Sequence, residues 1–321
     1  MRLALNAYVS EVLFEASGAV FALGDGVVRW ADGAAEEAHD GAVLCAAPHP
    51  SGEGVITGGD DGRLVWSRPG VVQCLAHLRG RWVDAVATAP SQGLIAFASG
   101  RELRVLAAGD AGFERRFIHE KSVAALAFDA KGRRLAAATY GGVALWYAKI
   151  ADQKPVMLRA AGSHIGALFS PDARFVVSSL QEGALHGWRI SDAGEMRMGG
   201  YPAKVHSLAF VDDGAWLATS GARAMVLWPF GGASGPMGRH AVELGPDPSA
   251  SVARVAGSAD GAIVAAGLDD GRIWTGDVNT QKIEQLAAAT GRPITAMVLA
   301  GSRLAWGDDA GGAGVIDLPP F

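Results

Sequence analysis

Residues 58–68 read GGDDGRLVWSR and set two adjacent carboxylates, Asp60 and Asp61, among glycines before a short apolar run that ends at Trp66. Taken alone, the stretch would suit a cation loop or an acid/base pair as well as the tip of a β-hairpin. Asp-Gly is favoured in tight hairpins because type I′ turns require positive φ angles. The choice between a chemical site and a structural turn depends on whether the stretch recurs.

Segments that end like GRLVW recur along the sequence. Their last residues are Trp30, Trp66, Leu106, Trp146, Trp188, Trp228, Gly276 and Ile316. Successive markers are 36, 40, 40, 42, 40, 48 and 40 residues apart. A period near 40 is the signature of a repeat architecture. Because no linker or low-complexity segment interrupts the copies, we predict a single domain over residues 1–321.

Each repeat has the same order of apolar runs and turns. An alternating run such as SVAALAF (122–128) predicts a half-buried strand, and a turn such as DAKG (129–132) follows it. A second apolar run, RLAAAT (134–139), precedes a tight turn and the marker strand, and a more polar strand leads to the next repeat. Four antiparallel strands in about 40 residues are typical of a β-propeller blade, so we predict an all-β fold.

Three of these segments carry a specific resemblance. PHPSGEGVITGGDDGRLVW (48–66), FDAKGRRLAAATYGGVALW (128–146) and FSPDARFVVSSLQEGALHGW (169–188) resemble the strand-turn-strand stretch of the WD40 repeat family. The resemblance covers nearly the entire chain and implies a closed β-propeller. The sequence departs from the family pattern because the Trp-Asp dipeptide never occurs; Ser67 follows Trp66, for example.

The resemblance also implies a role for Asp61. In WD40 relatives, an Asp at this turn hydrogen-bonds a His, a Ser or Thr, and the marker Trp. The matching residues here are His39, Thr57, Asp61 and Trp66, and only this repeat has all four residue types in place. Asp61 is therefore expected to be structural.

Counting the inner strands gives eight blades, the first beginning with YVSEVLF (8–14). The last marker, Ile316, leaves too few residues for a fourth strand, which MRLAL (1–5) could supply. Closing the ring in this way removes open sheet edges. We predict eight four-stranded blades with the last completed by the N-terminal strand; seven blades are the alternative if the first unit is irregular.

Composition argues against several classes of function. A net charge of −5 and a pI near 5.9 give no electrostatic case for nucleic acid. Cys45 and Cys74 form neither a disulfide framework nor a metal-type spacing. The N-terminal segment lacks a signal-peptide core, and no window approaches 18 uncharged apolar residues. We expect a cytoplasmic protein that binds neither nucleic acid nor membranes.

Motifs for catalysis are missing from the sequence. It contains no G-x-S-x-G, H-E-x-x-H or P-loop, and no EF-hand pattern follows the acidic turns. The adjacent pairs Ser163-His164 and His206-Ser207 would point to opposite faces of a strand. We predict no catalytic residue, no metal ligand and no cofactor. The alternative is a metal-binding, small-molecule-binding or hydrolytic propeller that uses the acidic turns at the central channel, as some relatives of this architecture are enzymes.

In a propeller, the loops before the inner strands and the turns between second and third strands share one rim. These segments hold the candidate partner-binding residues Asp60, Arg81, Trp82, Arg101, Tyr140, Glu182 and Arg223. Exposed aromatic and Arg side chains are typical interface anchors. We predict a monomeric, non-catalytic scaffold that binds an unidentified protein or peptide on this rim. The alternative for Trp82 and Tyr140 is packing between blades.

Overall fold

Antiparallel sheets dominate the computed structural model, which describes residues 1–319. Its 31 strands form eight sheets, and these are the blades of a β-propeller, as the sequence predicted. The only helical segment in the described range is one 3₁₀ turn, Pro90–Gln92.

The strands of the first four blades, together with the N-terminal strand β1, precede residue 164. They are β1 (Arg2–Ala4), β2 (Val9–Glu15), β3 (Gly18–Leu23), β4 (Val27–Trp30), β5 (Ala35–Glu37), β6 (Val43–Pro48), β7 (Val55–Gly59), β8 (Arg63–Arg68), β9 (Val71–His77), β10 (Ala85–Ala89), β11 (Leu94–Ser99), β12 (Glu102–Ala107), β13 (Asp110–Ile118), β14 (Val123–Phe128), β15 (Arg134–Tyr147) and β16 (Val156–Ser163). Blade 1 is β2–β5, blade 2 is β6–β9, blade 3 is β10–β13 and blade 4 is β14–β16.

The strands of the remaining blades follow residue 167. They are β17 (Leu168–Phe169), β18 (Phe175–Leu180), β19 (Ala184–Arg189), β20 (Gly194–Met198), β21 (Leu208–Val211), β22 (Trp216–Thr219), β23 (Met225–Pro229), β24 (Val242–Leu244), β25 (Val252–Gly257), β26 (Ile263–Leu268), β27 (Ile273–Asp277), β28 (Ile283–Ala287), β29 (Ile294–Ala300), β30 (Arg303–Asp308) and β31 (Gly312–Asp317). Blade 5 is β17–β20, blade 6 is β21–β24, blade 7 is β25–β28, and blade 8 is β29–β31 with β1.

In blade 4, the long strand β15 serves as both the second and the third strand. Its first half, from Arg134 to Thr139, pairs with β14, and its second half pairs with β16. Gly141 and Gly142, with φ angles of +89° and +140°, lie between the halves. These backbone conformations favour glycine, which allows the chain to reverse within one continuous strand.

The N-terminal strand completes blade 8. β1 pairs antiparallel with β31, with Leu3 opposite Ala313. The Met1 amino group donates to the Val315 carbonyl at 2.8 Å, and the Val315 N–H donates back to the Met1 carbonyl at 3.0 Å. The prediction of eight blades closed by the N-terminal strand is confirmed.

Burial follows strand position within a blade. The second strand of blade 2, β7, is buried at every residue, and the inner strand β6 alternates between buried and half-buried residues. The outer strand β9 is mostly exposed. Apolar clusters fill the spaces between neighbouring blades; one of them joins Leu94 and Leu103 of blade 3 to Leu135 and Trp146 of blade 4.

By compactness, the described chain divides into two units. One comprises residues 1–12, 170–175 and 179 onward, and the other comprises residues 13–169 and 176–178. The second unit contains blades 2, 3 and 4 in full, with the residues discussed most closely below.

Candidate functional site

The acidic turn of blade 2 is tied to the loop that precedes β6. His39 Nδ1 lies 3.0 Å from Asp61 Oδ1, and His39 Nε2 lies 2.8 Å from Thr57 Oγ1. Asp61 also accepts the backbone N–H of Asp40 at 3.1 Å and the backbone N–H of Arg63 at 3.0 Å. The Arg63 side chain donates to Asp61 as well, through Nε at 2.7 Å. With this many partners, Asp61 serves as a structural acceptor that joins the turn to the loop.

The electrostatics of Asp61 agree with this role. Burial raises the pKa of its carboxyl, but the hydrogen bonds from Arg63, His39 and Asp40 outweigh burial and hold the pKa well below its usual range. Asp61 is therefore ionised at neutral pH and is no candidate for a general acid.

Trp66 lies outside this network. Its indole N–H donates to the Glu53 carbonyl at 2.9 Å, and its ring stacks on His49 with centroids 4.2 Å apart. The structure thus brings together three of the four residues that the resemblance implied. Trp66 follows Asp61 by only five positions, and at this spacing the indole contacts His49 and Glu53 instead of the Asp61 network.

Backbone hydrogen bonds join the turns and loops of the rim. The Leu78 N–H donates to the Gly62 carbonyl at 2.8 Å, and the His119 N–H donates to the Arg101 carbonyl at 2.9 Å. Gly62 has φ +79°, and a Cβ there would lie 2.4 Å from the Leu78 carbonyl oxygen. Only glycine allows this close approach. The turns of blades 2 and 3 are therefore hydrogen-bonded to the loops that lead into the next blade.

Blade 3 has a different charged network at its rim. Glu102, 4% exposed, accepts Arg81 Nη1 at 2.9 Å, Arg104 Nε at 2.7 Å and Arg116 Nε at 2.8 Å. Burial raises the pKa of Glu102, but the hydrogen bonds from Arg81 and Arg104 outweigh it and lower the pKa overall. Arg81 also donates to the Ser99 carbonyl at 2.5 Å. Arg81 thus braces the loop that carries Trp82.

Two aromatic side chains of the rim are exposed. Trp82 is 63% exposed and Tyr140 is 64% exposed, so neither packs between blades. Trp82 borders a shallow depression formed by the loop 80–84 and the turn 99–100. Tyr140 lies at the reversal of β15. Both residues lie in blades 3 and 4 of the same compact unit.

The other predicted rim residues differ in their surroundings. Arg101 is exposed at the turn of blade 3. Asp60 is half-buried rather than fully outward, and its carboxylate lies so close to Gly41 that a Cβ there would be 2.0 Å from Oδ1. Glu182 and Arg223 are exposed at the turns of blades 5 and 6, in the other compact unit.

A groove of 370 Å³ lies in blade 4, bordered by Tyr140. The segment 118–121, the turn 139–141 and residues of β16 line it. Two buried side chains, His119 and Trp146, form its inner wall, 7% and 5% exposed respectively. Their ring centroids are 5.5 Å apart in an edge-on arrangement. Burial lowers the pKa of His119 to about 4, so the imidazole is neutral at pH 7.

Chemistry other than binding has little support in the described residues. Among residues 1–319, no three His, Cys, Asp or Glu side chains are grouped so as to hold a metal ion. His164 Nδ1 lies 2.9 Å from Ser178 Oγ, but Ser178 is fully buried and donates to the Gly166 carbonyl. The alternative of a metal- or small-molecule-binding propeller stays a prediction without an assigned site.

Within residues 1–319, no helix is long and apolar enough to cross a membrane.

Sequence reasoning missed two features of this surface. It did not single out Glu102. The available signal was that Arg104 and Arg116 face each other across β12 and β13, because two like charges in such a pair require a nearby carboxylate. It also missed that His119 and Trp146 meet in a groove. The signal was a spacing of 80 residues from His39 to His119 and from Trp66 to Trp146, with Gly141 in place of Asp61.

Comparison with known proteins supports the fold. The family described as WD domain, G-beta repeat, matches residues 35–66, which contain the turn of blade 2. The crystal structure of the computationally designed protein Ika8 is similar over 98% of both chains, with a TM-score of 0.79 and 20% identity. No curated protein matches the chain. At this level of identity, the likeness concerns the fold alone.

Proposed function

We propose that this chain, a WD40-type β-propeller, is a non-catalytic scaffold that binds a protein or peptide partner on the rim of blades 3 and 4. WD40 propellers are commonly interaction scaffolds, and the repeat match and the eight blades support membership of that fold class. The fold by itself names no partner, so the proposal depends on the surface.

The observation that carries the proposal is the exposure of Trp82 and Tyr140. Elsewhere in the same unit, large aromatic side chains such as Phe97 and Trp146 are buried. Large rigid side chains such as Trp and Tyr dominate binding energy in protein interfaces because they bury much apolar area at little entropic cost. Two of them on adjacent blades therefore suit a partner better than they suit solvent.

The rigidity of the rim supports the same function. The hydrogen bond from His119 N–H to the Arg101 carbonyl, and the ion pairs of Arg81 and Glu102, fix the loops beside both aromatics. A surface that is ordered before binding loses less conformational entropy when a partner arrives. The loops that carry Trp82 and Tyr140 are therefore ordered before the partner binds, and they do not fold around it.

We also propose that the protein works in the cytoplasm as a monomer. Neither Cys45 nor Cys74 forms a disulfide bond within the described residues, which supports a reducing compartment.

The experiment that tests the function is affinity purification from the native cell with wild type and with the variant Trp82→Ala/Tyr140→Ala. We expect the variant to lose at least one partner that co-purifies with wild type, because truncating an anchor costs about 2 kcal/mol or more. The matched control is Tyr147→Ala, which removes a tyrosine 54% exposed at the far end of the same strand. If the Trp82→Ala/Tyr140→Ala variant retains every partner, the rim of blades 3 and 4 is not the interface.

A further inference from the structure

Blade 4 repeats blade 2 at a spacing of 80 residues but has lost the acidic acceptor. His119 and Trp146 correspond to His39 and Trp66, and Gly141 stands where blade 2 has Asp61. Two further polar positions of the network are apolar in blade 4: Ala137 matches Thr57, and Val143 matches Arg63. The histidine and the tryptophan remain, while the two residues that contact the histidine ring in blade 2, Asp61 and Thr57, have no polar counterpart in blade 4.

Two buried polar atoms of blade 4 have no hydrogen-bond partner among the described residues. His119 Nε2 and Trp146 Nε1 are closed to solvent and make no hydrogen bond. Thr139 does not compensate, because its hydroxyl donates to the carbonyls of Tyr140 and Gly142. An unpaired buried N–H costs free energy that a matching acceptor would recover. Both side chains belong to the wall of the groove.

Blade 6 shows that a tryptophan in this setting takes an acceptor when one is present. Trp228 Nε1 donates to Tyr201 Oη at 2.6 Å, and Tyr201 Oη in turn lies 2.7 Å from Thr219 Oγ1. Trp146 Nε1 makes no such hydrogen bond to any of the described residues.

Charge at the groove favours an anion. Three cations, Lys121, Lys154 and Arg159, and a single carboxylate, Glu120, line it. All four side chains are exposed, and none of them forms an ion pair. The local excess of two positive charges stands out in a chain of net charge −5. Such a site attracts a negatively charged group and stabilises it through charge-assisted hydrogen bonds.

We propose that the groove binds an aspartate or glutamate side chain of a partner peptide, whose carboxylate supplies the acceptor that His119 Nε2 and Trp146 Nε1 lack. The assignment rests on the proposed function and names the chemistry of the partner. A carboxylate fits both requirements, since it is an anion and can accept from Trp146 Nε1–H and from the Nε2–H tautomer of His119. Because both nitrogen atoms are closed to solvent in the free protein, the peptide side chain reaches them only when the wall of the groove opens.

The apolar borders of the groove favour a peptide over a free anion. Ile118 is 58% exposed, Met157 is 37% exposed, and Tyr140 stands beside them. Contacts with a peptide backbone and neighbouring side chains would cover this surface, whereas an inorganic anion would leave it in water.

The test follows the tryptophan indole resonances of the ¹⁵N-labelled full chain by NMR. The probe is acetyl-Ala-Glu-Ala-amide, with acetyl-Ala-Gln-Ala-amide as the neutral control and inorganic phosphate as the free anion; Trp146→Phe assigns the reporting signal. We expect the Glu peptide alone to move the Trp146 signal saturably. The Trp66 and Trp228 signals, whose N–H groups have internal acceptors, serve as internal controls that stay in place.

Two further arms sharpen the test. Lys154→Ala/Arg159→Ala, at exposed positions, is expected to weaken the Glu peptide about tenfold, because two charge-assisted contacts are lost. The pKa of His119, about 4 in the free protein, is expected to rise when the Glu peptide is bound, since a nearby carboxylate favours the imidazolium.

Each other outcome overturns the assignment. An unmoved Trp146 signal, an equal response to the Gln peptide, or tighter saturation by phosphate would show that the groove is not a site for acidic peptides. The proposed function is judged separately. If the rim variant loses its partners while the Glu peptide has no effect, the function stands and the groove assignment falls. If the Glu peptide binds but the variant keeps every partner, the groove binds acidic peptides and the proposed function on the rim falls.

Discussion

At the scale of single residues, Asp61 stabilises the turn of blade 2. We expect Asp61→Asn to lower the free energy of unfolding by about 1–3 kcal/mol at pH 7, because charge-assisted hydrogen bonds to His39 and Arg63 are weakened. Urea unfolding monitored by tryptophan fluorescence measures the change. The neighbouring Asp60→Asn is the control and should cost no more than about 0.5 kcal/mol.

The pH dependence of this effect has a definite sign. The pKa of Asp61 is depressed in the folded state, so its stabilisation is complete above the unfolded value of about 3.9 and is lost as the pH falls through the folded value. The difference between wild type and Asp61→Asn should therefore be full at pH 7 and smaller at pH 3. A constant difference across this range would contradict the role of the ionised carboxylate.

Residue-level predictions from the sequence succeeded only where a motif fixes both residue type and spacing. His39, Thr57 and Asp61 meet because strand pairing places Thr57 opposite Val65, just beyond the turn. Trp66 bonds elsewhere because successive side chains of a strand alternate between its two faces, so the face of the tryptophan depends on how many residues separate it from the turn. The marker tryptophan alone does not fix that number. The exposure of Trp82 could not be predicted, because it depends on where β10 begins, and β10 begins only at Ala85.

At the scale of elements, strand β1 protects the edge of blade 8. Deleting residues 1–5 would remove the pairing with β31 and the hydrogen bond from Leu5 N–H to the Gly311 carbonyl. We expect a lower thermal midpoint together with concentration-dependent association, because an uncovered strand edge pairs with other chains. Differential scanning fluorimetry and light scattering measure the two effects.

The matched control for this deletion keeps the strand and changes only a side chain. Arg2 is exposed, so Arg2→Ala should leave both the thermal midpoint and the association state unchanged. If the deletion behaves like Arg2→Ala, then β1 contributes nothing to closing blade 8.

Elements were predicted better than sites because they are repeated. Every marker from Trp30 to Ile316 lies on the third strand of its blade, since a period near 40 averages out the irregularity of single copies. Deviations occur where one copy is unusual. The run 164–170 predicts a full inner strand, but β17 covers only Leu168–Phe169, because His164 is drawn into hydrogen bonds with Ser178 and the Ala160 carbonyl.

At the scale of the whole molecule, the two thiols report how the fold opens. Cys74 is exposed, whereas Cys45 is buried and its thiol donates to the Val83 carbonyl at 3.5 Å. We expect one thiol per chain to react rapidly with a disulfide reagent in native buffer and two in urea. In the Cys74→Ser variant, modification of Cys45 should be slowed about a hundredfold or more, because it requires opening of the fold. Equal rates for the two thiols would contradict tight packing between β6 and the loop before β10.

The contrast between blade 2 and blade 4 has a consequence for how such proteins change over time. In a repeat fold, stability is close to a sum over copies and their interfaces, so one copy can lose a stabilising residue while the others keep the chain folded. A mutation from aspartate to glycine at the position of Gly141 would then be tolerated, and the histidine that it leaves behind is already oriented. Redundancy among the blades thus offers a short evolutionary route from a structural contact to a recognition site, by removing a residue rather than adding one.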